Sequence, residues 1–135
     1  MAECGVSLFL GQDPHKSVNW DTSGRDNGYD LAIKNQHIEV KSSNSPYASR
    51  LMWPVTRVNE LRTTPFHLFV FTRVLSSKSE PLGQPVDLAG WITKEKFMAH
   101  HWVANGLRGI IDGTPFMHEK QLDPIETLMK HIQVN

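Results

Sequence analysis

Hydrophobic and polar positions alternate most regularly between Tyr29 and Ser43. Leu31 and Ile33 alternate with Asp30, Ala32 and Lys34; Ile38 and Val40 alternate with His37, Glu39 and Lys41. A period of two marks a half-buried strand, and the polar pair Asn35-Gln36 between the two runs predicts a tight hairpin. With Lys34 paired to His37, Ala32 falls opposite Glu39 and Asp30 opposite Lys41. Opposed residues of an antiparallel pair share a face, so Asp30, Glu39 and Lys41 are expected to project together, with only the small Ala32 between them. Leu31, Ile33, Ile38 and Val40 are then left to seat the hairpin on a core.

The remaining elements follow in chain order. Ala2 to Leu10 reads as an amphipathic helix stopped at Gly11 and Asp13-Pro14. Lys16 to Asp21 has a brief strand-like centre, and Thr22 to Gly28 has loop composition. Asn44-Ser45-Pro46 breaks the chain, and Arg50 to Thr56 predicts an edge strand because Pro54 excludes a central one. Thr56 to Arg62 fits a short helix or turn. Phe66 to Leu75 is apolar over most of its length and predicts a central strand buried on both faces. Ser76 to Pro85 reads as a surface loop and Asp87 to Ile92 as a further strand. Thr93 is placed to cap a helix from Lys94 to about Val103. Leu107 to Ile111 forms a short β-like piece between glycines. Asp123, Pro124 and Glu126 supply an N-cap, N1 and N3 signal for a closing helix to about Gln133, with Ile125, Leu128, Met129 and Ile132 on one stripe. Strands and helices alternate without repeat or linker, which predicts one domain over residues 1–135 of α/β (α+β) class, a central mixed sheet flanked by helices.

Composition narrows the class of function. A 39% hydrophobic content is ordinary for a globular domain, and 135 residues can bury a core without staples. No apolar run is long enough to span a bilayer, and the first residues lack the basic and apolar regions of a signal peptide, so a cytoplasmic location is expected. The single Cys4 excludes an internal disulfide framework. Net charge is zero, but its distribution is uneven. Residues 1–40 carry three Lys or Arg against six Asp or Glu; residues 41–78 carry six against one; residues 79–135 carry five against seven. A basic middle beside an acidic start suits a polyanionic partner.

Two carboxylates and an ammonium on one flank of a ribbon suit metal-assisted attack on a phosphodiester, since hard oxygen donors favour Mg²⁺ and a nearby lysine can orient water or stabilise developing charge. A plain solvated hairpin with a cross-strand Asp30–Lys41 pair accounts for the same spacing. Asp30, eight intervening residues and then Glu39-Val40-Lys41 resembles the PD-(D/E)XK nuclease superfamily, which has the restriction-endonuclease-like fold. Gly28-Tyr29 stands where that motif has proline, and the following Ser42-Ser43 matches the family's continuation. The resemblance covers roughly Glu3 to Phe97. It implies that Asp30, Glu39 and the Val40 carbonyl hold Mg²⁺ or Mn²⁺ and that Lys41 is catalytic. It also implies a supporting role for Glu3 on the first helix, although a first-turn acid favoured by the helix dipole fits that residue too.

Asp21 and Asp26 are rival ligands from the preceding loop. Arg25, Ser42, Ser43, Arg50, Arg57, Arg62 and Arg73 are candidates to contact phosphates. The expected partner is DNA rather than RNA, with a homodimer able to cut both strands. A nuclease-like domain that binds nucleic acid or a protein and cuts nothing is the alternative. Seven histidines raise a zinc site, but Cys4, His15, His100, His101 and His118 lack any regular ligand spacing.

Overall fold

The computed structural model describes residue 6, residues 30–43, 49–74 and 86–134. The predicted Lys16–Asp21 and Thr22–Gly28 segments, the Asn44-Ser45-Pro46 break and the Ser76–Pro85 loop lie outside these residues, as do Glu3, Asp21, Arg25 and Asp26. Of the predicted first helix only Val6 is described; it is helical and fully buried.

Strands β1 (Leu31–Ile33), β2 (Gln36–Ser43), β3 (Arg50–Met52), β4 (Leu68–Val74) and β5 (Val86–Thr93) are followed by helix α1 (Lys94–His100). Then come β6 (Trp102–Val103), β7 (Pro115–His118) and the closing helix α2 (Leu128–Val134). Short 3₁₀ turns occupy Val55–Glu60, Glu119–Gln121 and Ile125–Thr127. Four strands form a mixed sheet in the order β1-β2-β4-β5, and three form a second sheet in the order β3-β7-β6. Within the first sheet β2 runs parallel to β4, with Glu39 beside Phe69 and Lys41 beside Phe71, while the β1–β2 and β4–β5 pairs are antiparallel. The result is a mixed α+β fold.

Strand alternation divides the core in two. One face of the first sheet presents Leu31, Ile33, Ile38, Val40, Leu68, Val70 and Trp91, covered by Val6 and by Leu128 and Ile132 of α2. The other presents Phe69, Phe71 and Ile92 to Leu51, Trp53, Leu61, Phe66, Phe97 and Met117. This second side is a run of ring contacts: Trp53 stacks on Phe66 at 5.7 Å, Phe66 meets Phe69 at 4.6 Å and Phe69 meets Phe97 at 4.8 Å. Each such side chain contributes about 1.5–3 kcal/mol by leaving water. Glu39 and Lys41 rise from β2 on this aromatic side.

Several sequence expectations need correction. The hairpin turns at Lys34-Asn35, not Asn35-Gln36; both residues have positive φ (47° and 68°), as a type I′ turn requires. Ala32 therefore faces His37, and Leu31 faces Ile38. Asparagine tolerates the left-handed region better than glutamine, so this register relieves Gln36 of it. Helix α1, capped by Thr93 Oγ1 accepting from Lys96 N at 3.2 Å, ends at His100 because Trp102 and Val103 pair with Phe116 and Pro115. Leu107 to Ile111 is a series of turns, not a strand, bounded by Gly106, Gly109 and Gly113, all at positive φ. Asp123 does not cap the closing helix; its backbone exchanges hydrogen bonds with Trp91, and Pro124 precedes the 3₁₀ turn that leads into α2.

Candidate active site

The site is built where β1 stops short. The Asp30 amide donates to Ile38 O at 2.9 Å, and the Asp30 carboxylate Oδ2 accepts from Val40 N at 2.8 Å. The side chain thus takes up a backbone donor that β1 no longer reaches. Asp30 is buried, and its carboxylate lies against the Glu39–Val40 peptide, not across from Lys41 as the predicted register had it. Carbonyl directions alternate along an extended strand. His37 O accepts from His67 N of the β4 side and Ile38 O accepts from Asp30 N, so the Val40 carbonyl turns to the Asp30 side as well.

Glu39 is buried at 6% exposure, and its Oε1 lies 3.2 Å from Lys41 Nζ. A carboxylate this enclosed needs a partner, which the ammonium two residues on provides. Lys41 Nζ also sits 4.7 Å from the centre of the Trp53 indole, where the ring's negative face attracts a cation. Trp53 is held in turn by Nε1–H donating to Arg57 O at 2.7 Å, and the Arg57 guanidinium lies 5.0 Å from the same ring. The link from Lys41 to Trp53 spans the crossover between β2 and β3, and nothing in the local sequence pattern signals it.

The other sequence candidates are distributed as follows. Arg57 pairs with Glu60 at 3.2 Å, Arg50 lies 5.9 Å from the Phe116 ring centre, and Arg62 is exposed. Arg73 is held by Asp87 at 2.6 Å and Glu119 at 2.7 Å. Burial alone would lower its pKa, but these two carboxylates outweigh that and hold it above the usual arginine range. Its charge is thus balanced inside the chain. Ser42 is exposed and alternates away from Lys41, while Ser43 returns to the Lys41 side, in register with Arg73.

At the other end of the same β2 face, His37 N–H donates to His67 Nδ1 at 2.8 Å, and the two rings lie 5.3 Å apart. Burial, then the neighbouring His37 and Lys94, hold the His67 imidazole below its ordinary pKa. Lys94 donates to Thr64 O at 2.6 Å and Arg62 O at 3.1 Å, and burial lowers its own pKa. These three residues carry no recognisable spacing in the sequence, since β2, β4 and α1 bring them together from distant positions.

Among the described residues no group of three or more His, Cys, Asp or Glu side chains is placed to hold a metal ion, and no helix is long and apolar enough to cross a membrane. Asp30, Glu39 and Lys41 are nevertheless gathered within one short stretch of β2 and its neighbour. Compared with family models, curated proteins and solved structures, the chain matches none.

Proposed function

We propose that the chain is a small Mg²⁺-dependent endodeoxyribonuclease of the PD-(D/E)XK type on a restriction-endonuclease-like sheet. The observation that carries this reading is the 2.8 Å hydrogen bond from Val40 N to the Asp30 carboxylate, which sets one acid against the backbone of the Glu39-Val40-Lys41 motif. Asp30, Glu39 and the Val40 carbonyl are hard oxygen donors. A pair of carboxylates without a third acid suits Mg²⁺ or Mn²⁺, which keep several waters, better than zinc, which takes four nitrogen or sulfur ligands. When bound, the ion supplies positive charge to the scissile phosphate and acidifies a coordinated water. Lys41, held between Glu39 and the Trp53 ring, offers its ammonium to the charge that develops on the phosphate. Arg57 shares the Trp53 ring with Lys41 and is the arginine best placed to anchor a flanking phosphate. A cytoplasmic homodimer cutting both strands belongs to the same proposal.

Lys41→Ala is expected to lower Mg²⁺-dependent cleavage of linear, circular or branched DNA by roughly 10²–10³-fold while leaving the circular dichroism spectrum unchanged. Glu39→Ala should lose Mn²⁺ affinity as well. Undiminished cleavage by Lys41→Ala removes Lys41 from the mechanism. Binding of DNA without cleavage under any divalent ion leaves the alternative, a nuclease-like binding domain in which the Glu39–Lys41 pair is purely structural.

A further inference from the structure

A second concave surface lies apart from the acidic pair. A cleft of about 530 Å³ opens between α1, β6 and the 3₁₀ turn after β7; Ile92 and Met117 floor it, and Lys96, His101, Trp102 and Gln121 stand around it. Its size falls within the range of roughly 300–1,000 Å³ typical of small-molecule sites.

Trp102 is 61% exposed, yet it is not loose. Its Nε1–H donates to Gln121 Oε1 at 3.2 Å, and the same oxygen accepts from His118 N at 3.2 Å in a capping box. An indole fastened by its edge keeps a flat apolar face for a partner. The two bonds occupy both lone pairs of the Gln121 oxygen, so this amide offers the cleft only its N–H donors. His101 lies flat on Phe97, with 11° between the rings, and its Nδ1 is 2.9 Å from Phe97 O. A carbonyl only accepts, so Nδ1 carries the proton, and with the imidazole in its neutral form Nε2 is left as an acceptor.

The cleft therefore combines an aromatic wall, a donor, an acceptor and an apolar floor. We propose that it takes one unstacked nucleobase with a lactam edge, a ring N–H beside a carbonyl as in thymine or guanine, from a single strand. The base stacks on Trp102, its carbonyl accepts from Gln121, and its ring N–H donates to His101 Nε2. Lys96, 59% exposed and 3.6 Å from Asp123, stands at the rim, where a strand's phosphate would pass. An aromatic side chain from a protein partner could stack on Trp102 but would leave the donor and acceptor unused. The floor is on the Glu39 side of the sheet: Ile92 is in register with Phe69, and Phe69 with Glu39. Two strand spacings, roughly 10 Å, separate them, so one strand could reach both places, although the base site needs no cleavage to exist.

The test is fluorescence anisotropy of the full chain in EDTA with labelled oligothymidylate, oligodeoxycytidylate and an abasic strand of equal length. Cytosine has the carbonyl but no ring N–H. Oligothymidylate should bind tightest, Trp102→Ala should weaken it by roughly five- to a hundredfold, and Trp102→Phe should restore most of the loss. The abasic strand should bind both variants as it binds the wild type. Equal affinity for thymidylate and cytidylate, no binding of thymidylate, or no effect of Trp102→Ala would overturn the proposal. Because no divalent ion is present, the titration reads the cleft whether or not the chain cuts DNA.

Discussion

Thr72, fully buried in β4, has no hydrogen-bond partner for its Oγ1 among the described residues. Burying an unmatched hydroxyl costs about 1–3 kcal/mol, and valine has nearly the same shape. Thr72→Val should therefore raise the urea midpoint, by an amount equivalent to about 1 kcal/mol. His67 gives the residue scale a pH dependence. Its folded pKa lies below the usual 6.5, chiefly through partial desolvation of a residue that stays largely exposed, so the unfolded chain binds the proton more readily. The stability this provides is fully present above the unfolded pKa of about 6.5 and is lost as pH falls through the folded value. Protonation at Nδ1 also removes the acceptor that His37 N–H uses. Denaturation midpoints measured from neutral to mildly acidic pH should fall, and His67→Gln should flatten that slope.

At the scale of elements, β5 is tied to the segment entering the closing helix through Trp91 and Asp123. Gly90 makes the approach possible: a Cβ there would sit 2.8 Å from Leu122 Cβ and 3.1 Å from Asp123 O. Gly90→Ala should destabilise by about 1–3 kcal/mol, which thermal unfolding would detect. This close approach was invisible in the sequence, where Gly90 is only a glycine inside a strand pattern. The strands β2, β4 and β5 were legible because each is long and either alternates or is apolar throughout. Of the second sheet only the edge strand β3 was, shorter than expected; β6 has two residues and β7 four, too few for a period to register. Apolar content misled at Leu107 and Ile111, which are exposed: glycines at positive φ on either side set the backbone, and the apolar side chains follow it outward. At the site, alternation placed Glu39 and Lys41 on one face correctly. The hairpin slipped because the turn obeys the left-handed preference of Asn35 over the symmetry of the flanking runs.

For the whole molecule, the first sheet is covered on its aliphatic side by Val6 and by the closing helix α2. Val6 and the α2 residues Leu128 and Ile132 are buried against Leu31, Ile38, Val40 and Trp91. Trp91 fixes the approach to that helix, its Nε1–H donating to Pro124 O at 3.0 Å and Thr127 Oγ1 at 2.9 Å. Leu128→Ala should cost about 2–5 kcal/mol in guanidinium unfolding, although Leu128 lies on the sheet face opposite the Glu39 and Lys41 side chains. The stripe Ile125, Leu128, Met129 and Ile132 was readable from its spacing alone; which sheet face it covers was not, since that depends on contacts with strands far back in the chain.

The two contacts that define the site close chain loops of very different length. Asp30 and Val40 meet through a two-residue turn, and such hairpins close within about 1–10 μs. The aromatic seat of Lys41 arrives only after the intervening crossover has been looped and Trp53 has packed on Phe66 and Phe69, contacts whose loop-closure entropy makes them slow. On refolding, then, the acid is expected to meet its backbone donor early and the amine to be fixed only when the second sheet docks, an order that pulse-labelled hydrogen exchange at Val40 N–H would check.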